Sequence, residues 1–315
     1  MLAERVSLTV ECFGRDASEE RFAELIAFQV RYGRASVDSV VELRAFLALV
    51  TEWMGVFVRD VDGVLVAVGD AIVLPGVPTS RDLRMNATVR DGSSGAGLRA
   101  VLDAIGAWEH GRACAGLCAN VTLRDEGVLA LWEDEGFEQI GERARLRRPI
   151  ASGETPPEVV VPEGMRIVAL RDVPHLEPEV DIVWHESAAD IPSATPQVVT
   201  ELSAREQLGM SVEGDAPETW IVAVTDADEI AGFAYLHLYT SPGATAGHRM
   251  TGVARAFRGR GVARALKTSL LAWAIERGLD ELQASNDEHS HAMRHINDDL
   301  GYVVDFRAPI MRRER

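Results

Sequence analysis

Six consecutive residues, Arg258-Gly259-Arg260-Gly261-Val262-Ala263, have the composition of an anion-binding loop. Glycines let a backbone approach a ligand closely, and Arg258 and Arg260 add positive charge beside the exposed amides. Downstream, Val262, Leu266, Leu270 and Trp273 recur at spacings of four, four and three, which places them on one face of a helix. The first turn of such a helix leaves backbone N–H groups without intrahelical partners and carries the positive end of the helix dipole. Upstream, Arg249 to Arg255, with Met250, Thr251 and Val253, reads as a strand. Strand, Gly-rich turn and helix together make a seat for a phosphate or diphosphate. A Walker loop would need Gly-Lys followed by Ser or Thr, and a dinucleotide fingerprint would need a glycine at Arg264; neither is present.

The run does fit Q/R-x-x-G-x-G/A, and from Arg258 through Ala263 it resembles the acyl-CoA diphosphate motif of the GNAT superfamily of N-acetyltransferases. Thr251-Gly252-Val253 resembles the end of that family's fourth strand. Asn286, Met293 and Ile296-Asn297-Asp298-Asp299-Leu300-Gly301-Tyr302 resemble its fifth strand and the helix that follows. The resemblance covers the second half of the chain. It implies an α/β (α+β) fold with a mixed, mostly antiparallel sheet flanked by helices, whose fourth and fifth strands splay apart around the pantetheine arm. It further implies acetyl-CoA as co-substrate, no metal, and cofactor contacts from Thr251, Val253, the Arg258–Ala263 loop and Asn286.

Acetyl transfer to an amine needs a neutral nucleophile, a donor for the oxyanion and a proton for the departing thiolate. The resemblance gives the second role to a backbone N–H near Val253. Family members often carry Glu or His where this chain has Gly247 and Arg249, and neither can act as an ordinary base. The family's usual acid, a tyrosine four residues before the glycine of the Leu-Gly-aromatic signature, is Asn297 here, and an amide cannot deliver a proton as a phenol does. His237, on the neighbouring strand, is the first candidate base; His248 is the second, since alternation points it to the opposite sheet face unless a bulge reorients it. Relay of the protons by water stays open. Trp184, Asp190 and Trp220 are candidate pocket residues for a cationic acceptor, through ring faces and a carboxylate. Histidine and tryptophan are also routine core residues, so each candidate has a plain structural alternative.

Composition bounds the partners. A formal net charge of -17 repels nucleic acid and anionic membranes and attracts a small amine. Met1 to Arg15 has no long apolar run and stretches such as Val64 to Val68 are too short to span a bilayer, so a cytoplasmic protein is expected. Cys12, Cys114 and Cys118 cannot all pair, and Cys114 and Cys118 read as buried thiols of a strand. His291 and His295 stand four apart on a predicted helix, with His289, Asp287 and Glu288 nearby; a solvated helix rim is the default over a metal site, because no accompanying base motif is present.

At 315 residues the chain has room for two domains. A Pro- and Gly-rich break between Pro149 and Gly164 separates halves of similar length and element order, the sign of an internal duplication. Three segments are expected: a GNAT-like domain over 1–150, a linker over 151–163, and a GNAT domain over 164–315. The layout is similar to that of the mycothiol synthase family. In the first half a strand from Met85 to Arg90, a Gly-rich turn from Gly92 to Gly97 and a helix with Leu98, Leu102, Ile105 and Trp108 match the second half. Ser94 replaces the arginine of the motif there, which marks the first half as degenerate. The expected function is acetyl-CoA-dependent N-acetyl transfer to the primary amine of a small cationic substrate, by direct attack in a ternary complex held by the C-terminal domain of a monomer or homodimer. The alternative is a non-catalytic acyl-CoA-binding or regulatory protein.

Overall fold

Short apolar runs rich in β-branched residues, such as Trp220–Thr225, and period-3.6 runs such as Val262–Glu276 follow one another along the chain, and each settles into the element its composition and spacing dictate. The computed structural model describes residues 7–32, 39–73, 83–90, 95–110, 114–121, 126–191, 217–239 and 244–314. The first half runs β1 (Thr9–Phe13), α1 (Glu19–Tyr32), α2 (Val40–Leu49), β2 (Glu52–Arg59), β3 (Leu65–Val73), β4 (Leu83–Val89), α3 (Ala96–Glu109), β5 (Gly116–Asn120), α4 (Glu126–Asp134) and β6 (Glu138–Pro149). The second runs β7 (Met165–Ala169), α5 (Glu177–Ala189), β8 (Trp220–Thr225), β9 (Ile230–Leu238), β10 (Thr245–Val253), α6 (Val262–Glu276), β11 (Glu281–Asp287), α7 (His291–Asp299) and β12 (Val303–Glu314). The repeated order agrees with an internal duplication. Among the described residues no helix is long and apolar enough to cross a membrane.

The chain divides into two compact units. Unit 1 comprises Met1–Glu142 with Arg307–Arg315, and unit 2 comprises Arg143–Phe306. In unit 1, β1 to β4 pair antiparallel in order, β4 meets β5 in parallel over Leu83–Met85, and β5 is closed by the last residues of β12, Ile310–Glu314, antiparallel. In unit 2, β7 to β10 pair antiparallel in order, β10 meets β11 in parallel over Thr245–Gly247, and β11 is closed antiparallel by Arg143–Pro149 of β6. Each unit is thus a mixed, mostly antiparallel sheet with helices packed on it.

These units divide differently from the 1–150, 151–163 and 164–315 segments expected from the sequence. The chain passes into unit 2 within β6, because Leu146 packs into the unit 2 core beside Leu282 and Leu270. It returns to unit 1 within β12, because Met311 packs into the unit 1 core. The Pro-rich stretch follows the crossing; Arg148 ties Glu154 back to β6, with Nη1 donating to Oε2 at 3.1 Å.

In unit 2, α6 buries Val262, Leu266 and Leu270 against one face of the sheet, and α5 buries Val180, Val183 and Trp184 against the other. Each such aliphatic side chain contributes about 1.5–3 kcal/mol on leaving water. The β8–β9 hairpin turns at Asp226-Ala227-Asp228, where Asp228 takes φ +59 and donates its N–H to the Thr225 carbonyl at 3.0 Å.

Unit 1 buries a carboxyl group. Asp70 on β3 accepts from Asn86 Nδ2 at 3.2 Å and from Gln29 Nε2 at 3.4 Å. Burial pushes its pKa up to about 6 against the pull of these donors and of Trp53. A folded-state pKa above the unfolded value contributes stability that is complete below the unfolded pKa and is lost as pH rises through the folded one. Urea unfolding of unit 1 is therefore expected to be easier at pH 8 than at pH 5. Asp70→Asn should remove that slope and stabilise the unit at pH 8 by on the order of 1–3 kcal/mol; equal pH dependence in the two proteins would show that Asp70 is ionised throughout.

Candidate active site

The Arg258–Ala263 loop has the conformation its glycines allow. Gly259 and Gly261 take φ +74 and +86, a region that L side chains rarely adopt, and Gly261 caps α6. No side chain caps that helix, and its first intrahelical bond runs from the Ala265 N–H to the Gly261 carbonyl at 3.0 Å. A Cβ built on either glycine meets nothing within 4 Å, so the backbone cradle opens to a ligand. This suits a diphosphate, which takes up the free N–H groups of a helix N-terminus.

The arginines do less there than expected. Arg258 turns back, Nε donating to the Val253 carbonyl at 2.9 Å and Nη1 to Asp190 at 2.8 Å. It braces the loop against the end of β10. Arg260 lies over the Phe257 ring, 5.4 Å from its centroid, and Arg264 pairs with Asp299.

The two strands beside the loop form a fork. β10 and β11 pair only from Thr245↔Glu281 to Gly247↔Gln283, and β10 then runs on to Val253 without β11. Ala254 donates to the Ala231 carbonyl at 3.0 Å, and Val253 faces Gly232 one step earlier in the ladder. Because antiparallel pairs alternate between bonded and non-bonded, the N–H groups of Val253 and, two residues before it, Thr251 point away from β9 into the fork. Asn286, on β11, is buried with its Nδ2 unpartnered.

A bulge interrupts β10: His248 faces Leu236 and Met250 faces Tyr235, leaving Arg249 as the extra residue. It falls after His248, which therefore stays on the α6 side of the sheet with Ala246. There both ring nitrogens of His248 are enclosed and lack partners, and its pKa drops well below the usual value through burial first and the nearby Lys267 second. His237 takes the other side. It follows Tyr235 by two residues on β9, faces Gly247 across the ladder, is buried, and packs edge-on against Tyr239 at 5.1 Å. A Cβ at Gly247 would come within 2.4 Å of the Tyr239 hydroxyl, so Gly247 is a position that Tyr239 occupies in place of a side chain.

On the α5 side, Trp184 and Trp220 stack with their neighbours: Trp220 on Tyr235 at 4.0 Å and Trp184 on Phe233 at 5.4 Å. Both are buried in a core cluster, so they form the floor of this side and cover one another's faces. Asp190, the C-cap of α5, receives Arg255 through two bonds of 2.7 Å as well as Arg258. These guanidiniums, Arg255 first, hold its carboxyl well below the usual range. Gly252 lets α5 lie close to β10, since a Cβ there would strike Phe233 at 2.5 Å and Ser187 Oγ at 2.7 Å. Residues 192–209, which follow α5, lie outside the described residues.

Asn297 is wholly buried, and both polar atoms of its side chain lack partners. His289 pairs with Asp287 at 2.9 Å and His295 faces Asp299 at 3.6 Å. Among the described residues no three His, Cys, Asp or Glu side chains converge. In unit 1 the helix corresponding to α6 is α3, whose cap Gly95 takes φ −56, a right-handed conformation unlike that of Gly261. Residues 92–94 of that loop lie outside the described residues.

The Acetyltransferase (GNAT) family model matches residues 183–302. No curated protein matches the chain. Among solved structures, a GCN5-related N-acetyltransferase from Sphaerobacter thermophilus superposes with a TM-score of 0.66 at 22% identity over 100% of this chain and 97% of its own. A tandem GNAT protein from the clavulanic acid biosynthesis pathway, determined without AcCoA, superposes with a TM-score of 0.70 at 20% identity over 98% of both chains. A protein from Pyrococcus horikoshii described as a putative acetyltransferase gives 0.56 at 12% identity over 100% of this chain and 93% of its own. At these identities the likeness is one of fold, and it extends over both units.

Proposed function

We infer, from the match of residues 183–302 to the Acetyltransferase (GNAT) family model, that the protein moves an acetyl group from acetyl-CoA to the primary amine of a small cationic substrate, and that unit 2 performs the reaction. The observation that carries this reading is the pair of left-handed glycines opening an uncapped helix beside the β10–β11 fork. The Gly259–Ala263 backbone would hold the diphosphate, and Arg258 keeps that loop fixed to β10. Bound there, the thioester supplies an activated acyl carbonyl. The N–H groups of Thr251 and Val253 point into the fork, where a carbonyl oxygen gaining negative charge needs a donor.

His237 is the base in this reading. It stands on the sheet face that α5 covers, at the level where β10 and β11 part. An imidazole there can take the proton an ammonium must lose before it attacks. His237→Ala is expected to lower kcat/KM at neutral pH by on the order of a hundredfold and to remove the limb of the pH–rate profile that reports the base. An unchanged profile would dismiss His237.

The second reading, an acyl-CoA-binding protein without turnover, draws on the amide at Asn297 and on Gly247, whose Cβ direction Tyr239 blocks. Both readings use the same loop. A panel of small amines separates them: amine-dependent release of CoA supports the enzyme, and tight acyl-CoA binding with no such release supports the sensor.

A further inference from the structure

Lys267 is the least expected residue in unit 2. It lies on the sheet-facing side of α6 beside Leu266, Leu270 and Leu271 and is 2% exposed. Among the described residues no carboxylate pairs with it; burial alone acts on its amine and brings the pKa down to about 7. A leucine or methionine would pack there at no electrostatic cost, whereas a buried ammonium without a counter-ion is unfavourable. A cost of that kind, retained in a core, points to chemistry.

Two polar neighbours surround the amine. The Tyr302 ring lies beneath it, 5.2 Å from Nζ to centroid, and the His248 ring is 5.9 Å from that of Tyr302. The Tyr302 hydroxyl and both His248 nitrogens are enclosed without a hydrogen-bond partner, so the pocket's polar atoms await one. The other elements on this face contribute apolar groups, Ile221 and Ala223 from β8, Ala234 and Leu236 from β9, Leu282 and Ala284 from β11, and one uncharged polar group, the Asn286 amide of β11. The ionisable set facing Lys267 is therefore His248 and Tyr302, with Arg148 beyond the phenol, where its Nε donates to the Leu300 carbonyl at 2.9 Å. His248 is the first residue of β10 past the last β10–β11 pair, which sets the cluster at the closed end of the fork.

We propose that Lys267 is the acid of the reaction, taking the place of the phenol that is missing at Asn297, with Tyr302 and His248 as the residues that position its ammonium at the closed end of the fork. Lys267 donates from Nζ to the sulfur as the carbon–sulfur bond breaks, so one N–H bond is lost and one S–H bond forms. The acceptor nitrogen loses one proton as the amide forms, and that proton, passed to solvent, balances the one that returns to Lys267. This inference rests on the reading of unit 2 as the acyl-CoA-binding transferase.

The test is a titration of the thiol of CoA bound to the full-length protein, followed by thiolate ultraviolet absorbance against a desulfo-CoA complex. A thiolate beside Nζ is the counter-ion that the buried amine lacks, so it restores the ammonium in the bound complex, and the ion pair lets the thiol titrate about one pH unit or more below free CoA, a tenfold gain in thiolate below its pKa. Lys267→Met, close in length and uncharged, should bring the titration back to that of free CoA. A wild-type complex whose thiol titrates as in water overturns the proposal, and that comparison decides the matter even if the methionine variant fails to fold. Calorimetry distinguishes the two levels: CoA bound with an unshifted thiol sinks Lys267 alone, whereas no CoA binding by the wild-type protein sinks the transferase reading with it.

Discussion

Gly261→Val is expected to abolish CoA binding by unit 2 while the protein stays folded. Gly261 sits at φ +86, where a β-branched residue is strained by about 1–3 kcal/mol. A domain stable by about 5–15 kcal/mol survives that loss. The valine side chain would nevertheless stand in the cradle, where a Cβ now meets nothing within 4 Å and where a diphosphate must reach the backbone. Calorimetric affinity for CoA should fall on the order of a hundredfold or more, about 2.7 kcal/mol or more. Gly278 provides the control: it takes φ +69 just past the other end of α6, also with open space at its Cβ position. Gly278→Val should cost similar stability and leave CoA affinity unchanged. If Gly261→Val binds CoA as the wild type does, the loop is not the diphosphate seat.

Ending the chain at Phe306 is expected to unfold the N-terminal unit and spare the C-terminal one. Residues 307–315 belong to unit 1, where Ile310–Glu314 pair with β5 and Ile310 and Met311 are 2% and 0% exposed. Removing two such side chains costs about 2–5 kcal/mol each, and the lost strand adds an open edge along β5. Together these approach the whole stability of a domain. Hydrogen exchange should show protection lost across β2 to β5, and CoA binding by residues 143–306 should persist. Loss of CoA binding with unit 1 intact would reverse the assignment of this strand.

The sequence made the core of unit 2 legible. The segment with Met250, Thr251 and Val253 forms a strand as its residues predict, and the Arg258–Ala263 run disclosed both the Gly-rich turn and the helix it opens. What it did not disclose depends on tertiary partners. Arg258 reads as a ligand-facing charge until Asp190, 68 residues away, is seen to bind it. The extra residue Arg249 is invisible to a period-two pattern, so the side taken by His248 needed the ladder itself. Lys267 adjoins Leu266 on the buried side of α6, but a charged residue next to an apolar stripe reads as the edge of that stripe. The Pro-rich stretch drew the expected boundary to 151–163, although strand pairing, which sequence does not reveal, moves the chain between units inside β6 and β12.

That crossing reverses the order of assembly during synthesis. Residues 307–315 leave the ribosome after all of 143–306, so the half begun first is finished second. Until then β5 lacks the neighbour that Ile310–Glu314 will become, and the nascent chain carries an unguarded strand edge through the making of an entire second unit.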